Sequence, residues 1–248
     1  MEYTEKFKKF VKNGVNEKYF IGTGNPNSKI LFIGKESAIS KDDIKGRDFY
    51  NKNADEWQNH INKGTCEILK FPINKNHQFR KEKSWGKNTW SKYQILKNII
   101  YKSETQNYIN FLEDVFTTEI NDAPEKTTSK ADKSGLNSRK ELFNKSKFIQ
   151  DFPVTVLACS DYIKNNNEVR EIDNIFQVTF DNHELNKYYF SKGNWFFTHH
   201  NNDKSKLVIH TRQLSANVNN DMLEKMGEII RQHLEKMNLL ENKPTTSN

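Results

Sequence analysis

Three polar side chains stand in or after strand-like runs of this sequence: Glu36 shortly after an apolar run, Glu119 in a β-branched and aromatic run, and His210 at the end of a second apolar run. A carboxylate can orient a water molecule or stabilise a developing positive charge, and a histidine can stabilise a negative leaving group. If the runs are strands of one parallel sheet, their carboxyl ends lie at one edge, which is where ligands bind in such folds. The spacing therefore predicts hydrolytic chemistry at a sheet edge.

The elements that must position these residues follow from the apolar pattern. Buried strands are expected at 29–34, 115–120, 154–160 and 207–210, with a further short strand at 175–180. Helices are expected at 1–13, 88–102, 104–113, from about 137, and over Met222 to Met237 with Asn220 or Asp221 as the cap; 35–87 is expected to be irregular. This alternation predicts an α/β fold, a three-layer α/β/α arrangement with a central, mostly parallel four-stranded sheet.

Composition favours a single folded domain over 1–240 and a disordered tail over 241–248. Hydrophobic residues make up only 34% of the 248 residues, but aromatic residues make up 12%, and large rings bury much area each. The formal charge of +7 favours a polyanionic partner such as DNA, although a solvated lysine-rich surface accounts for it equally well.

The cysteines, the histidines and the lengths of the apolar runs argue against several classes of protein. Cys66 and Cys159 are far apart, which argues against a disulfide framework, a zinc site or an iron–sulfur cluster, and the neighbours His199 and His200 would point to opposite faces of a strand. The sequence contains no apolar run near the roughly 20 residues that span a bilayer, and its first residues lack the apolar core of a signal peptide. We therefore expect a cytoplasmic monomer without metal, cofactor or membrane partner.

The polar ends of the first and last runs carry recognisable patterns. Residues 34–38 read GKESA, and GRDF follows at 46–49; residues 210–215 read HTRQLS. The first pair resembles the opening motif of the uracil-DNA glycosylase superfamily, and the last run is similar to its closing motif. The resemblance implies a single-domain enzyme that removes a base from DNA.

The resemblance also implies a role for each matching residue. Glu36 takes the position that activates or orients the attacking water, and Phe49 is the ring that stacks on the extruded base. His210 takes the position of the histidine that hydrogen-bonds the base carbonyl and stabilises the leaving anion. Leu214 takes the place of a leucine that wedges into the DNA stack, and Ser215 follows it.

The other motif positions are assigned by their place in the resemblance. Base contacts are expected from Lys35 and Ser37, and DNA contacts from Arg47, Arg212 and Gln213 as well as Leu214 and Ser215. The family's prolines in the closing motif are replaced here by Thr211 and Gln213, so the loop departs from the pattern. A lysine-rich stretch could also line a DNA groove or form a solvated face: Lys126, Lys130, Lys133, Arg139 and Lys140.

Glu119 is the informative departure from the family, whose uracil-specific members place an asparagine there. A carboxylate accepts hydrogen bonds, and the pyrimidine that offers an amino donor at this edge is cytosine, whereas uracil offers a carbonyl. We therefore expect a preference for a cytosine-type base, in particular a modified one as in phage DNA, which would make the enzyme a defence factor.

The expected function is a monofunctional DNA glycosylase, which needs no cofactor. The alternatives are a uracil-DNA glycosylase of repair, a non-catalytic nucleic-acid-binding protein on the same fold, and another α/β hydrolase. Structural interpretations also stay open: Glu36 near a helix start, Glu119 in an ion pair, His210 as a hydrogen-bonded core histidine, Phe49 as core and Leu214 as an exposed single leucine.

Overall fold

The structure of the protein is a computed structural model, and it describes residues 2–70, 88–103, 109–181, 187–215 and 217–240. The predicted disordered tail, 241–248, lies outside the described residues. Within the described ranges, no helix has the length and apolar character needed to cross a membrane.

The described residues contain eight α-helices and eight strands. The helices are α1 (Glu5–Glu17), α2 (Ile44–Asn51), α3 (Asn53–Asn62), α4 (Thr89–Tyr101), α5 (Leu136–Lys145), α6 (Lys147–Gln150), α7 (Glu171–Phe176) and α8 (Asn220–Lys236). The strands are β1 (Thr23–Gly24), β2 (Ile30–Gly34), β3 (Phe116–Glu119), β4 (Val154–Leu157), β5 (Thr179–Phe180), β6 (Lys187–Ser191), β7 (Asn194–His200) and β8 (Leu207–Thr211). Short 3₁₀ turns lie at 111–113, 128–130 and 160–162.

All eight strands belong to one sheet, in the order β1-β3-β2-β4-β8-β7-β5, with β6 also paired to β7. The four strands expected from the apolar runs are its central members, and β3, β2, β4 and β8 are parallel to one another. The prediction of a four-stranded sheet is wrong, because antiparallel strands extend it on both sides to eight. The hairpin β6–β7 is aromatic rather than aliphatic, and it turns at Gly193, whose φ is +88°.

Alternate residues of β2 enter two separate core clusters, because successive side chains of a strand point to opposite faces. Leu31 lies in a cluster built with α1, α3, α5, α6 and α7. Phe32 lies in a second cluster built with α4 and α8. Both clusters are rich in rings and long aliphatic side chains, which is how a chain with few hydrophobic residues still builds a sizeable core.

The predicted helices are confirmed in α1, α4, α5 and α8, although α1 begins at Glu5 and ends at Glu17 instead of spanning 1–13. The cap of α8 is Asn219, one residue earlier than expected, and its side chain accepts from the backbone of Met222. Of the predicted helix 104–113, residues 104–108 lie outside the described ranges and 111–113 form a 3₁₀ turn. The predicted strand 175–180 is wrong in its first half, which ends α7, and only Thr179–Phe180 is a strand.

The prediction that 35–87 is irregular is wrong for the described part, which contains α2 and α3. Trp57 of α3 is fully buried, and its Nε1 donates to the carbonyl of Gly22. Asn53, also fully buried, donates to the same carbonyl and accepts from the backbone of Ile21. These tertiary contacts hold α3, so a weak apolar period did not reveal it.

Candidate active site at the carboxyl ends of the parallel strands

A cavity of about 390 Å³ opens at the carboxyl ends of the central strands. Its wall includes Gly34 to Ile39 after β2, Glu119 of β3, Ala158 after β4, and Gln213 and Ser215 after β8. The chain passes from β2 to β3 on one side and then to β4 on the other, so β2 marks the topological switch point at which ligands bind in open parallel sheets. The volume lies within the roughly 300–1,000 Å³ typical of small-molecule sites.

Aromatic rings form much of the cavity wall: Phe20, Phe49, Tyr50, Trp90 and Tyr93. Phe20 and Tyr50 stack at 4.3 Å between ring centroids, with planes only 3° apart. Phe49, the ring that the resemblance assigns to base stacking, is half-buried on α2 and lines the cavity. Such walls suit a flat, unsaturated ligand.

Glu36 lies in the cavity wall just beyond β2, and its side chain is held at both oxygens. Thr128 Oγ1 donates to Oε1 at 2.6 Å, and the Tyr162 hydroxyl donates to Oε2 at 2.5 Å. Glu36 is only 7% exposed. Two hydroxyl donors fix the carboxyl in one orientation, and each oxygen keeps a lone pair for a further donor.

Glu119, the last residue of β3, is paired in register with Gly34 at the end of β2. Its carboxyl group lies directly over that glycine, where a methyl group on Gly34 would overlap Glu119 Oε2. Oε2 is buried, and among the described residues it has no hydrogen-bond partner. Glu119 is thus a cavity-lining acid whose carboxyl group is not fully hydrogen-bonded by the described residues.

The charge state of Glu119 is set by its surroundings. Burial, and then the nearby charge of Glu36, raise the pKa of Glu119 to about 8. The charge of Arg139 and a hydrogen bond with the Ser37 side chain act in the opposite direction but are weaker. At neutral pH Glu119 therefore holds its proton, so the cavity contains one carboxyl group that donates as well as accepts.

Arg139 is a buried residue that holds the backbone of this site by hydrogen bonds, and it does not belong to a DNA groove. It is 3% exposed and donates to the carbonyls of Glu119 and Phe20 and to the hydroxyl of Thr118. Lys140, from the same predicted lysine-rich stretch, forms an ion pair with a carboxylate of α7. The groove prediction is therefore wrong for these two residues, whereas Lys126, Lys130 and Lys133 are exposed.

Lys35 and Ser37, from which base contacts are expected, line the cavity. Lys35 Nζ lies 3.0 Å from Asp161 Oδ1 and 4.6 Å from the centroid of the Tyr162 ring. Ser37 contacts Glu119 through its side chain. Both residues therefore contribute to the wall beside the two glutamates.

His210 does not take the predicted position in the cavity. It is absent from the described lining residues and is only 3% exposed. Its Nε2 lies 2.8 Å from the carbonyl oxygen of Ser160, and its Nδ1 lies 3.2 Å from Asn165 Nδ2. The alternation of β8 explains this placement, since His210 shares the face of Val208, which packs in the cluster that includes α7.

His210 belongs to a chain of hydrogen bonds that we call the histidine cluster: His210, Asn165, His199 and Asp173. Arg170 can only donate, so its 2.9 Å contact identifies the Asn165 oxygen, and the Asn165 amide nitrogen then donates to both imidazoles. His199 in turn donates from Nδ1 to Asp173 at 2.8 Å. Burial lowers the pKa of His210 to about 4 and also lowers that of His199, so both rings are neutral at pH 7.

The predicted wedge, Leu214, is also placed differently. Its side chain is fully buried in the core cluster of α4 and α8. Burying a leucine contributes roughly 1.5–3 kcal/mol, so the core position competes strongly with insertion into DNA. Its neighbours Gln213 and Ser215 do face the cavity.

The two arginines expected at DNA phosphates hold backbone carbonyls in this structure. Arg47 donates to the carbonyls of Ile39, Ser40 and Pro124, which braces the loop between β2 and α2. Arg212 donates to a carbonyl in the β6–β7 turn and to one in its own loop. Both guanidinium groups therefore rigidify loops beside the cavity.

Sequence reasoning missed the residues that orient the glutamates. Thr128 lies in a polar stretch and carried no signal. Tyr162 follows the strand β4 by five residues, and its place just beyond a parallel strand was the available signal. Among the described residues, no group of three or more histidines, cysteines or acids could hold a metal ion.

Comparison with known proteins adds no relative: no family model, no curated protein and no solved structure matches this chain. The resemblance to the glycosylase superfamily therefore stays a prediction that depends on the motif residues.

Proposed function

We propose that this protein is a DNA glycosylase that hydrolyses the N-glycosidic bond of a base flipped into the cavity. The observation that carries the proposal is the pair of carboxyl groups, Glu36 and Glu119, in the wall of an aromatic cavity of base-compatible size. Pairs of titratable groups in unlike environments divide acid and base roles between them. The proposed scaffold is the three-layer α/β/α arrangement, with helices on both faces of the sheet.

Stacking supports the choice of a nucleobase as the ligand. Extruding a base from a duplex costs a few kcal/mol, and stacking on an aromatic ring recovers about 1–3 kcal/mol of that cost. Phe49 is the ring assigned to this contact, and the other rings of the wall enclose the base. The formal charge of +7 favours encounter with the phosphate backbone.

Glu36 is assigned to the sugar side of the reaction. Breaking an N-glycosidic bond gives the sugar oxocarbenium character, which a nearby carboxylate stabilises while it orients the attacking water. The hydroxyl groups of Thr128 and Tyr162 keep Glu36 oriented for this task. Fixed orientation of this kind is what a positioned general base requires.

Glu119 is assigned to the edge of the base. A neutral carboxyl group pairs at two points with the N3 and N4 edge of cytosine, donating to the first and accepting from the second. We propose a modified cytosine as the substrate, with phage DNA as its source, and therefore a monomer that acts in the cytoplasm as a defence enzyme. The same neutral group can also pair with uracil, so uracil is a necessary arm of the test.

A non-catalytic nucleic-acid-binding protein is the second candidate, and one observation favours it. His210, which the motif assigns to the leaving base, has both ring nitrogens engaged by the protein. A binding protein of this kind would hold DNA with an affinity that falls steeply with salt, but it would release no base.

Base release from defined DNAs tests the proposal. Single- and double-stranded oligonucleotides would carry uracil, cytosine, 5-hydroxymethylcytosine or its glucosylated forms, and alkaline cleavage would reveal abasic sites. We expect cleavage only at modified cytosine. Cleavage at uracil alone would keep the enzyme class and overturn the substrate, whereas salt-dependent binding without cleavage on any DNA would establish the second candidate.

A further inference from the structure

We infer that Glu119 is the general acid of the reaction, donating its proton to N3 of the departing cytosine-type base. This inference rests on the proposed function and assigns to Glu119 the stabilisation of the leaving base that the motif had given to His210. It also makes the two glutamates an acid and a base working on opposite sides of one bond.

The position of Glu119 supports the role. It ends the strand next to β2, so its carboxyl group enters the cavity beside Glu36 at the level of Gly34. Gly34 leaves the space in which that carboxyl group lies. Among the described residues, the buried Oε2 has no partner, so a ligand is the group that can complete its hydrogen bonding.

The groups that face Glu119 keep a proton on it at neutral pH. Burial and the charge of Glu36 raise its pKa to about 8, against the opposing effects of Arg139 and Ser37. Tyr50, Tyr93 and Cys159 also interact with this carboxyl, and burial raises the pKa of each, so all three stay neutral near pH 8. Lys35, the cavity's neighbouring cation, is paired with Asp161.

The proposed step balances in atoms and charge. The bond between C1′ of the sugar and N1 of the base breaks, and its electron pair goes to the base while the Glu119 proton moves to N3. A water oxygen bonds to C1′, and the proton it loses passes to Glu36. Release leaves Glu119 ionised and Glu36 protonated, and proton exchange through solvent restores the starting state.

The chemistry of the leaving group explains why an acid belongs here. The anion of cytosine is a stronger base than the anion of uracil, so cytosine is the poorer leaving group. Cytosine N3 carries a lone pair that can take a proton, whereas N3 of uracil already carries a hydrogen. A proton donor in the cavity therefore suits a cytosine-type substrate.

Glu119→Gln is the variant that tests the role, because glutamine keeps one donor and one acceptor but cannot transfer a proton. Single-turnover base release would be measured on 5-hydroxymethylcytosine and on 5-formylcytosine, whose electron-withdrawing group makes it a better leaving group. We expect a loss of about 100-fold or more on the first base and a clearly smaller loss on the second. Glu141→Gln, at an exposed site on α5, is the matched control.

Two further readouts separate proton transfer from simple binding or misfolding. Wild-type base release should fall as pH rises through about 8, because Glu119 loses its proton there, and Glu119→Gln should lack this limb. The affinity of Glu119→Gln for a non-cleavable 2′-fluoro substrate should stay within about threefold of wild type, since glutamine keeps the edge contacts.

An equal loss on both bases, or a wild-type rate that does not fall above pH 8, would overturn the role of Glu119 and leave the glycosylase itself standing. A wild-type protein that releases no base from any substrate would remove the proposed function and this inference with it. If Glu119→Gln does not fold, the pH dependence of wild-type base release decides by itself whether Glu119 acts as the acid.

Discussion

The cavity glutamates and the histidine cluster differ in how completely the protein satisfies their hydrogen bonds. In the histidine cluster, both nitrogens of His210 and His199 have protein partners, and so does the Asn165 side chain. In the cavity, Glu119 Oε2 is buried without a partner among the described residues. A fully satisfied network specifies structure, whereas an unsatisfied buried group indicates a place for a ligand.

Burial acts on the two regions in the same physical way and gives opposite functional outcomes. It disfavours the charged form in each, which makes the histidines neutral and Glu119 protonated. A neutral histidine locked between two partners has no proton to offer the cavity. A protonated glutamate facing the cavity does, and this difference is why we assign the chemistry to the carboxyl groups.

The largest effect is expected from Glu36→Gln, which removes the carboxylate next to the sugar while keeping the shape of the side chain. Loss of a general base lowers rates by about 10²–10⁴-fold. Single-turnover base release would measure this, with circular dichroism to check the fold and Glu141→Gln as the control. Retention of the full rate would show that the reaction does not depend on Glu36, and the contrast between the cavity glutamates and the histidine cluster would then have no catalytic meaning.

A stability effect of about 3 kcal/mol is expected in the histidine cluster. The pKa of His210 is about 4 in the folded protein against 6.5 when unfolded, so the unfolded state binds more protons between these values. Wild-type stability should therefore fall as pH drops from about 6.5 to about 4. Urea unfolding of wild type and of His210→Asn across this pH range would measure how much His210 contributes to the change in unfolding free energy. The expectation would be contradicted if the unfolding free energies of the two proteins changed with pH in parallel.

An intermediate effect is expected at the glycine under Glu119. In Gly34→Ala the new methyl group overlaps Glu119 Oε2, and overpacking of this kind costs about 1–3 kcal/mol of unfolding free energy. Base release should fall with it, because the carboxyl group must move. Gly135→Ala is the matched control. The φ of Gly135 is −80°, and no neighbouring atom lies within 4 Å of the position that the new methyl group would take. The unfolding free energy of this variant should therefore differ from that of wild type by less than about 1 kcal/mol.

The smallest effect is expected from Tyr162→Phe, which removes one of the two hydroxyl donors to Glu36. A single hydrogen bond to a charged group is worth about 1.5–3 kcal/mol, but Thr128 still holds the other oxygen. We therefore expect base release to fall by about tenfold, with thermal stability near that of wild type. A loss as large as that of Glu36→Gln would show that Tyr162 itself contacts the reacting groups.

The central sheet could be predicted from sequence because β2, β4 and β8 contain apolar runs and β3 is a β-branched and aromatic run. The helix α3 could not, because Trp57 and Asn53 stabilise it through contacts with a distant loop, and α2 could not, because its Tyr50 hydroxyl donates to the distant Asp122. The antiparallel extensions were missed because the shortest strands have two residues and the hairpin carries aromatic side chains.

The candidate site was predicted in part, and the division has a physical cause. Glu36, Phe49 and Glu119 follow strand ends or lie on the helix beside them, so the topology alone brings them to one cavity. Whether His210 and Leu214 face a cavity or the core depends on strand alternation and packing, which motif spacing does not encode. The proton on Glu119 depends on burial and on Glu36, and both become visible only in three dimensions.

The Asn165 side chain clamps two imidazoles next to α7, and this clamp is an acid-sensitive contact. This six-residue helix is tied to the sheet through Asp173 and His199, and the Asn165 amide can serve two imidazoles only while each presents a bare nitrogen. Protonation of either ring sets two donors against each other and releases the clamp. Acid would then free the segment that carries Asn165 before the parallel strands separate, whereas the contact between Asp173 and a charged His199 would persist, so the first step of unfolding would be a local detachment of that segment.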